Sequence, residues 1–312
     1  MNTLQEKTTM KRTGEVNYNK QGEKMTIIKY IDCNNVVVQF ENGYCNTVQY
    51  GNFKRGSVKS QDDASERIGE ISYSNIGNEK MTLIEYKNVN NVVIKFESGY
   101  ITTKSYKAFI NGEVRNPYFK SLYDIGFIGE GKYKVREGNK ISRRYKIWWH
   151  MMNRCYNIDS YEKKHSYAPC IICEEWHNFQ NFAKWYDENY YLIRNEIMCI
   201  DKDILFKGNK IYSPETCVFV PQCINSLFTK RDIDRGNCVI GVTLDKNNKY
   251  RAQYNVNGEI TYLGAYGTEI EAYDVYKTHK EILIKQIADK YKNYIPNKLY
   301  EAMYKYEVDI TD

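Results

Sequence analysis

The amino-acid sequence predicts an α+β protein built from several domains. Three observations lead to this prediction: a segment near the N-terminus is repeated, a strand–turn–strand–helix pattern lies in the middle of the chain, and three strand-like runs precede a long helix near its end. The chain has 312 residues, which is more than one small hydrophobic core usually organises. We therefore expect four domains, spanning residues 1–60, 61–120, 121–235 and 236–312.

The composition argues against a disordered chain and against a membrane protein. Hydrophobic residues make up 42% of the sequence and charged residues 27%, and no apolar run approaches the ~18 residues that a membrane helix requires. The N-terminal residues carry no apolar stretch that would serve as a secretory signal, so we expect the protein to stay in the cytoplasm. The nine cysteines are expected to be reduced thiols there. The net charge of +6 is a mild tilt towards a polyanionic partner.

Two copies of one segment make up the N-terminal third, and they begin at Gly14 and Gly69. Each copy holds short β-branched runs, such as MTIIKY and NNVVVQF in the first, separated by turns that contain Asn and Gly. This pattern is typical of a small antiparallel barrel, and a length of about 45 residues suits a five-stranded barrel similar to Src-homology-3 domains. Equivalent positions in the two copies include Met25 and Met81, Phe40 and Phe96, Gly43 and Gly99, and Gly56 and Gly112.

A basic stretch from residue 132 to residue 146 leads into the central domain. It contains seven Lys or Arg residues and one Glu. Taken alone, such a run is as often a solvated linker as a segment that follows phosphates. Because aromatic residues at helical spacing come directly after it, we predict that Arg143 and Arg144 contact the DNA backbone. A second aromatic stripe, which we interpret as core, contains Trp176, Phe179, Phe182, Trp185 and Tyr186.

The most informative segment is residues 198–228, MCIDKDILFKGNKIYSPETCVFVPQCINSLF. It predicts a strand, a turn at Gly208 and Asn209, a second strand or loop, and then a helix. This arrangement resembles the ββα-metal fold of HNH endonucleases, in particular the homing-type nucleases of phages and mobile elements.

The resemblance assigns roles to four positions. In that family an Asp–His pair on the first strand binds a metal ion and activates water, a central Asn orients the His, and a final Asn completes the metal site. Asp201 and Asn225 stand at the two metal positions, for which Mg²⁺ or Mn²⁺ is the implied ion. Thr216 falls on the central position, and Lys202 stands where the family has its general-base His.

Lys202 leaves open whether the protein cleaves DNA. A lysine with an ordinary pKa near ~10.4 is protonated at pH 7 and takes no proton from water. Asp201 and Asp203 on either side favour the charged form further, and a charged lysine binds phosphate well. A replacement base would have to come from elsewhere in the chain, with His150 and His177 as the candidates.

Structural zinc is not expected. Cys170 and Cys173 form one CxxC motif with His165 and His177 nearby, but the sequence has no second CxxC to complete a four-ligand site. The two isoleucines between the cysteines favour a buried strand with thiols in the core.

The segment from Gly241, GVTLDKNNKYRAQYNVNGEITYLGAYGTEIEAYDVYKTHKEI, predicts three strands followed by a helix. It resembles the AP-two/ethylene-response-factor DNA-binding domain, whose sheet enters the major groove. The resemblance implies DNA contacts by Lys249, Arg251 and Gln253 on one face of the second strand, and by Tyr250, which stands where the family usually has Trp. Arg suits bidentate contact with guanine and Gln with adenine. A generic β-meander with a surface arginine is the alternative.

Together these segments predict a double-stranded DNA-binding protein of phage or prophage type, with site-specific binding and weak or lost metal-dependent cleavage. Two alternatives stay open. One is an active, site-specific HNH nicking or homing endonuclease, and the other is an interaction protein based on the N-terminal barrels. The sequence identifies no protein partner.

Overall fold

A computed structural model of the chain describes residues 12–60, 67–157, 170–229, 238–256 and 258–312. The chain divides into two compact units, Met1–Asn116 and Pro117–Asp312. The first unit contains both predicted repeats, and the second contains the central and C-terminal segments. The architecture is mixed α+β, with several small sheets and a few helices, as the sequence predicts.

Each repeat is a four-stranded antiparallel sheet in which every strand pairs with the next one along the chain, followed by a short helix. In the first repeat the elements are β1 (Val16–Tyr18), β2 (Lys24–Asp32), β3 (Asn35–Phe40), β4 (Cys45–Val48) and α1 (Tyr50–Lys54). In the second they are β5 (Ile71–Tyr73), β6 (Lys80–Asn88), β7 (Asn91–Phe96), β8 (Ile101–Lys104) and α2 (Tyr106–Ile110).

Alternating apolar side chains give each repeat its own core. In the first repeat, Met25 and Ile27 of β2 and Val36 and Val38 of β3 point inward and are fully buried under Phe53 of α1. The second repeat buries equivalent residues, namely Met81, Leu83, Val92, Ile94 and Phe109.

In each repeat, an arginine that precedes the first strand packs its guanidinium against two tyrosine rings. The Arg12 guanidinium lies 5.1 Å from the ring centroid of Tyr30 and 4.1 Å from that of Tyr50. The Tyr50 hydroxyl donates to the Glu15 carboxylate at 2.9 Å. The equivalent residues of the second repeat are Arg67, Tyr86, Tyr106 and Glu70.

Within the described residues each repeat is a four-stranded sheet that does not close into a barrel, whereas the sequence predicts a five-stranded barrel similar to Src-homology-3 domains. Closure requires a fifth strand that pairs with the first. After α1 no further strand pairs with the sheet among the described residues. Val58 packs into the core, the Lys20 amide donates to the Gly56 carbonyl at 2.9 Å, and the Ser60 hydroxyl bonds to the Glu23 carboxylate. Among residues 12–60 and 67–116, no strand pairs with the outer edges of the two sheets.

The second unit begins with a hairpin and two helices. Ser142 caps the first of these helices by accepting a bond from the Tyr145 amide, and Asn178 caps the second through the Gln180 amide. The predicted aromatic stripe is buried along all five of its positions, as expected for a core stripe. The elements are β9 (Arg136–Glu137), β10 (Lys140–Ile141), α3 (Arg143–Tyr156), β11 (Ile171–Ile172) and α4 (Phe179–Asn189).

The central motif consists of β12 (Met198–Asp201), β13 (Ile211–Tyr212), β14 (Val218–Pro221) and the short helix α5 (Gln222–Asn225). The turn falls at Gly208, whose positive φ of 80° suits glycine. Strand β12 pairs antiparallel with β14, whereas β13 pairs parallel with the earlier strand β11. The first strand of the motif therefore has the third strand as its partner, and not the second.

The C-terminal segment forms the predicted three-stranded antiparallel sheet with a helix packed on it. Its elements are β15 (Val242–Leu244), β16 (Tyr250–Val256), β17 (Glu259–Tyr266), α6 (Glu269–Tyr291) and α7 (Asn297–Tyr304). Thr268 and Glu271 form a capping box that starts α6. At Gly241 a Cβ atom would lie 2.1 Å from the Tyr276 ring, so only glycine lets β15 approach this helix.

One hydrophobic cluster joins the central motif to the C-terminal helices. Val218 and Ile224 of the motif pack with Ile284 of α6 and Leu299 of α7. The segments before and after the predicted boundary at residue 235 therefore share a hydrophobic core. Among the described residues, no helix is long and apolar enough to cross a membrane.

Candidate nucleic-acid interface

The Asp201 carboxylate organises the loop that follows β12. Its Oδ1 atom accepts the backbone N–H groups of Asp203 at 2.9 Å and of Ile204 at 2.7 Å. Burial, followed by the negative charge of Asp203, raises the pKa of Asp201 to about 6. The carboxylate that resembles a metal ligand is therefore already engaged in holding the loop.

Lys202 is buried, and its ammonium has an internal partner. The Nζ atom lies 3.2 Å from Oδ2 of Asp203 and 5.7 Å from the ring centroid of Tyr212. Burial acts to lower the pKa of Lys202, but the charge and hydrogen bond of Asp203, together with further neighbouring groups that include Asp201, outweigh it, so the pKa is raised. The side chain is 9% exposed. A protonated and buried ammonium takes no proton from water, and this burial also argues against a direct grip on DNA phosphate.

Thr216 closes the turn between β13 and β14. Its hydroxyl donates to the Ile211 carbonyl at 2.7 Å, and the Ser213 amide donates to the same hydroxyl at 3.2 Å. The hydrogen bonds of this side chain are thus used within its own turn.

Asp201 lies at one end of the paired strands β12 and β14, and Asn225 follows the opposite end. Asp201 pairs with Val218, whereas Pro221, which precedes α5 and Asn225, pairs with Met198. Among the described residues no three His, Cys, Asp or Glu side chains are grouped to hold a metal ion.

The donor set around Asp201 does not suit the Mg²⁺ or Mn²⁺ that the resemblance implies. A divalent ion needs several oxygen ligands with their negative charge available. Here Asp201 holds the loop amides, and the ammonium of Lys202 lies against Asp203. A second cation at this point would meet a positive charge.

The two histidines considered as replacement bases are placed elsewhere. His150 is exposed on α3, where its ring packs edge-on against Trp149. The Nε2 atom of His177 lies 3.2 Å from the Ile172 carbonyl, which only accepts hydrogen bonds, so this nitrogen is a donor. Burial lowers the pKa of His177. Within the described residues, neither ring contacts Asp201 or Lys202.

The CxxC cysteines lie in or beside the aromatic core. Cys170 is buried and Cys173 is half-buried, and burial raises the pKa of Cys173. Both are free thiols, as are the other seven cysteines.

Arg143 and Arg144, which the sequence predicts to contact a DNA backbone, differ in their surroundings. Arg143 is exposed at the start of α3, with its guanidinium 4.9 Å from the ring centroid of Tyr190. Arg144 is held between two carboxylates, 2.6 Å from Asp187 and 2.8 Å from Glu137. The charge of Arg144 is therefore matched inside the protein, whereas Arg143 is free to meet a phosphate.

Strand β16 separates two faces of the C-terminal sheet. Tyr250, Ala252 and Tyr254 point towards α6 and belong to its core cluster. Lys249, Arg251 and Gln253 point the other way, which we name the outer face. Arg251 is 49% exposed on that face, and Lys249 is also exposed. Tyr250 thus lies on the side away from its predicted DNA contact.

Two residues of β17 extend the outer face and escaped the sequence analysis. Tyr262 pairs with Gln253, and Ile260 pairs with Asn255. Directly paired residues share one face of a sheet. Ile260 is 65% exposed and Tyr262 is 57% exposed. The alternation of side chains in ITYLGAY predicts which residues share this face up to Leu263. At Leu263 a bulge shifts the register.

Comparison of the chain with protein-family models, with curated proteins and with solved structures found no match. The likenesses to HNH nucleases and to AP-two domains therefore rest on the sequence motifs described above.

Proposed function

We propose that the protein binds double-stranded DNA with the outer face of its C-terminal sheet and does not cleave it. The observation that carries this proposal is that Lys249 and Arg251 are exposed, with half-buried Gln253 beside them, on the face away from the helix that covers the other side. A surface with two cations, one amide and two large apolar side chains fits the phosphates, base edges and methyl groups of a duplex.

The geometry of the sheet supports major-groove binding. A groove about 12 Å wide admits a narrow β-sheet, so side chains from alternate positions of one strand reach the base edges. The Asp245 carboxylate holds the Arg251 guanidinium at 3.2 Å, which restricts its rotamers before DNA arrives. Ile260 and Tyr262 beside it supply apolar contact area.

The absence of cleavage follows from the state of Lys202. The family chemistry needs a neutral base on β12, and here a buried, protonated ammonium is paired with Asp203. No observation favours the alternative of an active nicking endonuclease.

Duplex binding tests the proposal. We would measure fluorescence anisotropy of labelled AT-rich and GC-rich duplexes between 50 and 200 mM salt. With about five phosphate contacts, affinity should fall by roughly 10³ over this range. The double variant Lys249→Ala with Arg251→Ala should bind much more weakly. The matched control is Lys285→Ala with Lys290→Ala, which removes the same charge from exposed positions of α6. No binding at micromolar protein, or equal loss in the control, would refute the proposal.

The expected lack of DNA cleavage is tested separately. Supercoiled plasmid is incubated with the protein and Mg²⁺ or Mn²⁺, and the nicked form is followed over time. We expect no nicking above a protein-free control. Metal-dependent nicking that disappears in Asp201→Ala would establish the endonuclease alternative.

A further inference from the structure

A buried lysine interrupts the apolar stripe of α6. Tyr276 and Ile284, one turn before and one turn after it, are buried in the two cores that flank this helix. Lys280 between them is only 7% exposed. An apolar residue is expected at this position, because i and i+4 residues share one helix face.

The ammonium of Lys280 has no partner among the described residues. No ion pair or hydrogen bond reaches its Nζ atom, and burial alone lowers its pKa, to about 8. By contrast, the other buried lysine, Lys202, is paired with Asp203. An unpaired charge in a protein interior is costly, and a bound anion offsets that cost.

Lys280 lines a cavity of about 630 Å³ beside the second half of β16. This volume lies within the range of small-ligand sites, which is roughly 300–1,000 Å³. The one acidic residue among its described lining, Asp312, is already paired with Lys207 at 2.7 Å. The remaining described lining combines aromatic rings, including Phe228, Tyr254 and Tyr276, with aliphatic side chains such as Leu227, Val242 and Val308 and with uncharged polar residues.

We propose that this cavity binds a single nucleotide, with the phosphate at Lys280 and the base among the aromatic side chains. An ammonium with no counter-charge among the described residues suits a phosphate, and tyrosine rings suit a base plane. The nucleotide is either free in solution or part of a nucleic-acid strand. The inference does not depend on duplex binding by the outer face.

Calorimetry with defined ligands tests the site. The probes are the four deoxynucleoside 5′-monophosphates, the matching nucleosides, inorganic phosphate, and a short single strand with a 5′-phosphate. We expect at least one monophosphate to bind about tenfold or more tightly than its nucleoside, since a charge-assisted bond is lost without the phosphate. Binding of the strand without any mononucleotide would assign the ligand to nucleic acid.

Variants of two lysines on the same helix locate the contact. Lys280→Met should weaken nucleotide binding about tenfold or more, while Lys280→Arg, which keeps the charge, should retain part of it. The matched control Lys285→Met changes an exposed residue one turn away and should leave affinity unchanged. Millimolar nucleotide, phosphate and strand all failing to bind, or Lys280→Met binding as well as the natural protein, would overturn the inference.

A measurement on the unaltered protein keeps the test independent of variant folding. Acetic anhydride modifies accessible lysine amines, and mass spectrometry reports the extent at each position. The nucleotide should protect Lys280 and leave Lys285 equally modified. Equal modification of Lys280 with and without a saturating nucleotide would contradict the proposed contact.

Discussion

The Nε atom of Arg251 lies 3.2 Å from Oδ2 of Asp245, across the hairpin that joins β15 to β16. The same carboxylate accepts the backbone N–H of Lys249 at 2.9 Å and that of Asn247 at 2.8 Å. These backbone bonds, followed by the charge of Arg251, lower the pKa of Asp245. The hairpin therefore holds the arginine in place before any ligand binds.

Arg251→Ala should cost about 1–3 kcal/mol of binding free energy on a preferred duplex if the guanidinium reads a base pair. Asp245→Asn keeps a hydrogen-bond acceptor for the turn but loses the charge, so a smaller loss is expected. Anisotropy titrations on preferred and random duplexes measure both. Equal loss on both duplexes would make Arg251 a phosphate contact only.

Lys249 and Lys202 should respond differently to salt. Lys249→Ala removes an exposed charge from the outer face and should reduce the salt slope of duplex binding by about 1. Lys202→Met removes a buried and paired charge and should leave that slope unchanged. A reduced slope in Lys202→Met, in a variant whose circular dichroism is native, would show that Lys202 reaches the backbone.

Substitution of Arg143 should affect DNA affinity, whereas substitution of Arg144 should affect stability. Arg143→Ala should weaken duplex binding with little change in the unfolding midpoint. Arg144→Ala leaves Asp187 and Glu137 without their partner and should destabilise the second unit by about 1–2 kcal/mol, with DNA affinity nearly unchanged. Urea unfolding and anisotropy provide the two measurements. The reverse pattern would contradict the assignment.

Asp201 should make stability fall as pH rises through its folded pKa. Its pKa is raised from 3.8 to about 6, so the folded state holds the proton more tightly than the unfolded chain. This contribution is fully present below pH 3.8 and lost above about pH 6. Asp201→Asn keeps the Oδ1 acceptor, so it should flatten this window and stabilise the protein at pH 7 by about 2–3 kcal/mol. A destabilised variant at pH 7 would refute the prediction.

Lys280 should make the stability of the protein rise with pH in the alkaline range, which is the opposite of the effect of Asp201. Its pKa is lowered from 10.5 to about 8, so the unfolded chain holds more protons between these values and stability rises with pH across that window. Below pH 8 the buried charge costs on the order of 3 kcal/mol. Lys280→Met should therefore raise the unfolding midpoint at pH 7, and Lys285→Met should not. An unchanged or lowered midpoint in Lys280→Met would refute the buried charge.

Local patterns predicted much of this fold. The alternation in MTIIKY and NNVVVQF gave the inward residues of β2 and β3, and the spacing of Trp176, Phe179 and Phe182 gave the buried face around α4. Barrel closure was not predictable in this way. It depends on whether the residues after α1 pair with β1, and no local pattern records that long-range contact.

The burial of Lys202 in the candidate site was also hard to predict, because it too depends on a long-range contact. Lys202 stands between two aspartates, which favours an exposed side chain in any local analysis. It is buried because Tyr212 packs near it, on a strand that pairs with β11 from a distant part of the chain. Lys280 did leave a local signal, since it interrupts an i, i+4 apolar series between Tyr276 and Ile284.

The helix α6 also bears on which parts of the chain could be exchanged separately. Tyr276 lies in the core of the C-terminal sheet, and Ile284, two turns later, lies in the core shared with the central motif. A recombination breakpoint between these two segments would strip Val218 and Ile224 of their packing partners and expose them to water. The central motif and the C-terminal sheet are therefore expected to fold only as one piece, whereas each of the two N-terminal repeats has a core of its own.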